Sequence, residues 1–211
     1  MILSVSIIFS CSTEKLDDNS QINEIPNFSV TENTINFQLR KATAEDPCVS
    51  KTLIAGQNMD AGTVEVTDIN SEYIEITIKT NEDWNIDLTH LSLGNCNDQW
   101  APTTGSGNPK VGKFEHTEPH SIGINEVVYQ ISKDHLDLEL NTSDTEGQYC
   151  FAAHAEVTSV SGGGGETAWA EDFVDEEETI RRTFDGNNWA MYAEANLSDC
   201  DIDDDNTTPS K

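Results

Sequence analysis

Between Thr63 and Lys79 the chain alternates apolar and polar side chains. Val64 and Val66 alternate with Glu65 and Thr67, Asp68 to Ser71 supplies turn residues, and Ile74, Ile76 and Ile78 alternate with Glu75, Thr77 and Lys79. Successive side chains of an extended chain point to opposite faces, so each stretch predicts a strand with one buried and one wet face. Ile86 and Leu88 share one phase and Leu91 and Leu93 the other, which predicts a strand over Trp84 to Gly94 with a bulge near Thr89-His90. β-Branched and aromatic residues cluster from Glu126 to Ile131 and predict another strand. From Gln148 to Ala170, Phe151, Ala153, Ala155 and Val157 alternate with Ala152, His154, Glu156 and Thr158. Gly162 to Gly165 follow and can reverse the chain at positive φ, so a central hairpin is expected.

Weaker patterns fill the remainder. Phe28 and Val30, then Ile35, Phe37 and Leu39, flank Glu32-Asn33 and suit a short hairpin, an added edge strand or an ordered linker. Asp134 to Leu140 alternates leucines with acids and suits a strand or a short irregular segment. Glu177 with Arg181 and Glu178 with Arg182 have the i,i+4 spacing of a one- or two-turn surface helix over Asp172 to Arg182, with a solvated loop as the alternative. Asp185 to Asn188 is a turn, and Trp189 to Ala195 is expected to be the last strand. Asn95 to Ile124, with Pro102, Pro109 and Pro119 and with Gly105, Gly107 and Gly112 between them, is expected to be one long loop. Seven or eight short strands without a long helix predict an all-β fold, an antiparallel β-sandwich with long loops.

Composition narrows the function classes. Among 211 residues, 39 acidic and 11 basic side chains give a formal charge of -28, which repels nucleic-acid phosphates and anionic lipid surfaces. Such acidity suits a solvated surface in saline surroundings or weak capture of divalent cations. Hydrophobic residues make up only 36%, so polar ends are expected to dilute an ordinary core. Asp46-Pro47 marks the start of the main domain, placed at 46–200 between a polar tether at 11–45 and an acidic tail at 201–211.

The ends carry a cellular address. Met1 to Ser10 is an apolar run too short to span a bilayer, and Ile8, Phe9 and Ser10 lead to Cys11. These residues resemble the lipobox of bacterial lipoproteins, with 1–10 as the signal peptide. Acidic, turn-rich residues behind Cys11 resemble the surface-export signal of Bacteroidetes-type lipoproteins. The resemblance implies cleavage before Cys11, lipidation of its thiol and an outer-membrane or cell-surface location; the alternative is an uncleaved apolar N-terminus with an incidental cysteine. Thr52 to Gln57, Asp60 to Val64, Thr89 to Gly94, Gly107 to Lys110, Ala152 to Ala155, Glu166 to Ala170 and Asn188 to Tyr192 together resemble a β-rich domain of secreted proteins from marine and gut bacteria. That second resemblance implies an extracellular module and carries no ligand or catalytic residue. With Cys11 set aside, Cys48, Cys96, Cys150 and Cys200 form an even set with three connectivities. Cys48 and Cys200 bracket the domain, and their pairing is expected, leaving Cys96 with Cys150.

Several constellations could carry chemistry. His116 and His120 are two potential zinc ligands, but Pro119 between them opposes helical presentation and no third ligand or base stands at a helpful spacing. His90 and His154 lie near strand centres and can face each other across the sheet, where satisfied buried histidines are the ordinary outcome. Asp199, Asp201, Asp203 and Asp205 alternate like the start of a calcium loop, yet Asp204 and Ser210 occupy the glycine and glutamate positions. Weak calcium binding by this tail or by Glu171 to Glu178 is the remaining metal expectation, and no other cofactor is expected.

Trp169 and Trp189 fall in expected strands and read as structural. Trp100 lies in the long loop, where no core pattern claims it, and is the leading contact residue; His116 and His120 share that loop. Neither a Gly-x-Ser-x-Gly nor a His-Glu-x-x-His motif occurs in the sequence. The expectation is therefore a lipid-anchored, non-catalytic binding module for an extracellular glycan or a surface protein. A structural or adhesion envelope lipoprotein and a hydrolase with an acidic site are the alternatives.

Overall fold

In the computed structural model, residues 28–33, 47–136 and 147–200 are described. Ten strands fill them: β1 (Phe28–Asn33), β2 (Val49–Ala55), β3 (Met59–Asp68), β4 (Tyr73–Thr80), β5 (Trp84–Asn95), β6 (His116–Pro119), β7 (Glu126–Ser132), β8 (Gln148–Ser159), β9 (Gly165–Ala170) and β10 (Ala193–Asn196). Short 3-10 turns follow at Val111–Lys113, Lys133–Leu136 and Leu197–Cys200, and no α-helix occurs among the described residues. All pairings between strands are antiparallel, in the order β1-β7-β4-β3-β2-β9-β8-β5-β6, with β10 on β8 beyond the end of β9. The all-β antiparallel class is as expected. It takes the form of one curled, sandwich-like sheet of ten strands rather than seven or eight.

The curl follows from where the apolar residues point. Val64 and Val66 of β3, Ile74, Ile76 and Ile78 of β4, Val127, Tyr129 and Ile131 of β7, Leu91 and Leu93 of β5, and Phe151, Ala153 and Val157 of β8 all enter one main core. Because these strands belong to one continuous sheet, the sheet must wrap around its own inner face to bring them to one core. At the ends of the order, Phe28 of β1 rests on His116 of β6 with ring centroids 4.2 Å apart. His120, just past β6, meets Glu32 of β1 at 2.8 Å. Side chains rather than a backbone ladder thus close the seam between these two strands among the described residues.

Several expectations are corrected. The register shift in β5 falls between Ile86 and Leu88, two residues before Thr89-His90, because Thr89 and not Leu88 occupies the inner face. Buried Thr89 hydrogen-bonds Tyr129 there, while Leu88 pairs with Glu156 on the other face and is half-buried. The stretch expected as one loop contains β6, an edge strand that tolerates Pro119. The Asp172 to Arg182 helix does not form. Asp175 Oδ1 accepts from the Thr179 and Ile180 amides at 3.0 and 2.7 Å, Glu178 takes φ 56°, and Phe173 bridges Arg181. The last strand is confined to Ala193–Asn196, so Trp189 is not in a strand. Phe28–Asn33 takes the edge-strand alternative and pairs with β7 over its whole length, so the folded unit reaches back beyond residue 46 into the segment assigned to the tether.

Both disulfides pair as expected. Cys48–Cys200 and Cys96–Cys150 have Cα atoms 4.8 and 4.9 Å apart, within the usual range for a bridge. The first ties the start of β2 to the end of the Leu197–Cys200 turn, the last among the described residues. Cys11, residues 1–10, the apolar residues Ile35, Phe37 and Leu39, residues 137–140 and the aspartates from Asp201 onward lie outside the described residues.

Candidate functional site

The outer face of β5, β8 and β9 does not meet solvent directly. Strand β8 is buried on both sides: Phe151, Ala153 and Ala155 serve the main core, while Ala152 faces outward into a second cluster with Ile54, Ala101, Phe114, Trp169, Phe184, Ala190 and Met191. Small Ala152 and Ser92, which pair across β8 and β5, leave room for covering chain. Two long connections supply that cover, residues 96–115 and 171–192. Ser92 Oγ donates to the Trp100 carbonyl at 3.0 Å, pinning the first connection to β5. Asp172 anchors the second. Its carboxylate accepts from Lys51 Nζ at 2.6 Å, Arg182 Nε at 3.1 Å and the Glu194 amide at 3.0 Å.

The two connections clasp at their tips. The Asn188 amide donates to Asn108 Oδ1 at 3.1 Å. A Cβ on Gly186 would stand 2.0 Å from the same oxygen and 2.6 Å from the Asn108 amide nitrogen, so only glycine allows this approach. A Cβ on Gly107, which takes φ 83°, would stand 2.9 Å from the Asp185 backbone.

Two aromatic pockets open through this cover. One, of about 220 Å³, is lined by Trp100 and Tyr192 with Phe184 at its base, and by Asp98, Gln99, Thr103, Thr183 and Asp185. The Trp100 ring lies 5.5 Å from Tyr192 and 5.7 Å from Phe184, so the indole is half-buried and its edge of packing is aromatic. The other, of about 210 Å³, has Trp169, Trp189, Pro109 and His154 among its walls. Trp169 is structural as expected, packed in the second cluster, whereas Trp189 stands half-buried at a pocket wall. Trp84 belongs to the main core.

Behind the second pocket, His90 and His154 face each other in directly opposed positions of β5 and β8, with their Nδ1 atoms 3.1 Å apart. Burial, with a smaller contribution from neighbouring His90, pushes the His154 pKa down to about 3. Burial also lowers that of His90, against the opposing charge of Glu156. Both rings are therefore neutral near pH 7, and one Nδ1–H donates to the other Nδ1.

The three residues expected at a ligand site separate. Trp100 looks out through the loop cover, while His116 and His120 face the inner side of the sheet at the β1–β6 seam. Four residues of extended chain put the two histidines roughly 13 Å apart, too far to share one metal ion. His116 packs between Phe28 and Tyr129, and burial lowers its pKa against the charges of Glu118 and Glu115.

His120 has both ring nitrogens engaged, Nδ1 with Glu32 Oε1 at 2.8 Å and Nε2 with Thr89 Oγ1 at 2.5 Å; Thr89 Oγ1 in turn contacts the Tyr129 hydroxyl. With Nδ1–H donating to Glu32, Thr89 O–H donates to Nε2 and Tyr129 O–H to Thr89. Burial pushes the Tyr129 hydroxyl up to about 12, so it keeps its proton. Carboxylate, imidazole and hydroxyl stand in the order of a nucleophilic triad, but Thr89 is fully buried. The line seals the seam.

Two carboxylates of the acidic loop hold its local structure. Glu171 pairs with Arg181 at 2.5 Å, and Asp175 caps its own turn. Asp199 Oδ2 accepts from the Asn196 amide at 2.8 Å. Among the described residues, the one group of three side chains with metal-ligand spacing is Cys96, Cys150 and Glu194, whose two sulfurs are in a disulfide.

Sequence reasoning missed Tyr192, Phe184, Asp98 and Asp185 as partners of Trp100, since they come from two connections joined only by the fold. The signal that could have found them is the Ala152-Ala153 pair, small on both faces of one strand, which marks a strand covered on both sides. Comparisons of the chain with protein-family models, with curated proteins and with solved structures find no match.

Proposed function

We propose that this chain is a non-catalytic, extracytoplasmic binding module, anchored through a lipid on Cys11 at the outer membrane or cell surface, whose Trp100 pocket takes an extracellular glycan. The observation that carries the reading is the make-up of that pocket. A half-buried indole stands beside Tyr192, and Asp98, Gln99, Thr103 and Asp185 surround the aromatic surface. Indole and phenol faces match the C–H faces of a sugar ring, while carboxylates, an amide and a hydroxyl accept or donate to its hydroxyls. Both disulfides suit an oxidising compartment. The cover is stapled to the sheet through Ser92 and Asp172, so little ordering would be needed on binding.

The test is a glycan array probed with wild-type protein, with and without calcium, and with Asp98→Asn. Asp98 is exposed, so its substitution leaves the melting temperature unchanged and weakens binding by about 1 to 2 kcal/mol through one lost charge-assisted hydrogen bond. An array that stays blank in both conditions, or signals indifferent to Asp98→Asn, would remove the glycan reading in favour of a structural or adhesion lipoprotein.

A further inference from the structure

We propose that His90 and His154 together form a two-nitrogen site for a borderline divalent metal ion, with Cu(II) the strongest binder and Zn(II) the second. The two side chains come from directly opposed positions of β5 and β8, and their Nδ1 atoms converge to 3.1 Å. An ion held at roughly 2.05 Å from each nitrogen would subtend an N–metal–N angle of roughly 100°, between the square-planar and tetrahedral values. The separation therefore fits a bridging ion with little movement, in place of the shared proton. Imidazole nitrogen suits copper and zinc and suits calcium or magnesium poorly, which sets this site apart from the acidic surface.

The surroundings support a ligating role beyond packing. Both histidines are 4% exposed and lie on rigid, doubly covered strands, so their rotamers are held. The Trp169 ring stands 4.5 Å from that of His154 and fixes its orientation. Glu156, two residues along the same face of β8, places a negative charge near His90. His154 lines the pocket of about 210 Å³ between Trp169 and Trp189, which gives an ion a way in and leaves room for water or an outside ligand at the remaining positions. The site is independent of the Trp100 pocket and of the glycan reading.

The experiment is titration of chelator-stripped, full-length protein with Cu(II), followed by tryptophan fluorescence and by electron paramagnetic resonance. Expected are quenching that saturates at one equivalent, copper signals with nitrogen hyperfine structure, and at least a tenfold loss of affinity in His90→Gln and in His154→Gln. His116→Gln, at the seam, should bind as wild type. Should either glutamine variant fail to fold, paramagnetic broadening in wild-type protein decides. Loss of the Trp169 indole signal before that of Trp84 supports the site. Copper spectra without nitrogen hyperfine structure, broadening confined to the acidic loops, or unchanged affinity in folded His90→Gln would overturn it.

Discussion

Acidification should loosen this fold through His154 before the carboxylates titrate. In the folded chain burial holds its pKa at about 3, against about 6.5 when unfolded. Between those values the unfolded state binds more protons than the folded one, so unfolding free energy falls as pH falls; above about pH 6.5 both states are neutral and the effect vanishes. One group contributes at most about 1.4 kcal/mol per pH unit, so lowering the pH from about 7 to about 5 should cost about 2 kcal/mol through His154. His90, also lowered by burial, adds in the same direction. Urea denaturation of metal-free protein at about pH 7 and about pH 5, wild type against His154→Gln, isolates the effect. The variant starts less stable, having lost the bond to His90, but should lose markedly less on acidification. Equal losses in the two proteins would refute the claim that a neutral, desolvated His154 is built into the second core.

Further outcomes follow from the covalent and steric design. By chain entropy, with its cysteines separated by 152 positions in sequence, losing the Cys48–Cys200 bridge should cost about 5 kcal/mol, and losing Cys96–Cys150, separated by 54, about 4 kcal/mol; denaturation of the paired alanine variants measures both. Gly186→Ala should unclasp the two connections because of the 2.0 Å approach of Asn108, lowering stability by about 1 to 3 kcal/mol and raising protease cleavage at residues 96–115. Trp100→Ala should lower the melting temperature as well as glycan binding, since the indole packs on Phe184 and Tyr192; a variant as stable as wild type would contradict that packing. Cys11→Ala should move the protein from the membrane to the soluble fraction, and continued membrane association would contradict the anchor.

The parts of this fold that were legible in the sequence are those where one face of a strand is dry and the other wet. The alternation in β3, β4 and β8 marked its strands, and Cys48 and Cys200 at the domain's limits, once Cys11 was set aside, indicated the pairing. Strand β2 escaped because Leu53, Ile54 and Ala55 are buried in succession, Ile54 in the outer cluster and its neighbours in the main core. Strand β6 escaped because His116-Thr-Glu-Pro has no aliphatic residue; its place is set by β5 beside it and by Phe28 across the seam. The i,i+4 acid–base spacing in the Asp172 to Arg182 loop was outweighed by Asp175, whose carboxylate closes a turn, and by Asp172, which draws Arg182 to the sheet. Trp100 was legible as a residue the core pattern did not claim. Its pocket was not, because part of its lining, Thr183, Phe184, Asp185 and Tyr192, comes from a connection distant in sequence and held by the clasp between Asn108 and Gly186.

The central claim, that the loop-covered aromatic face is a glycan-binding surface, is tested most directly by following the four tryptophan indole N–H signals by nuclear magnetic resonance during titration with the strongest array glycan. The account predicts saturable shifts of the Trp100 indole, with Trp84 in the main core unmoved. Shifts absent from Trp100, or spread equally over Trp100 and Trp84, would contradict it.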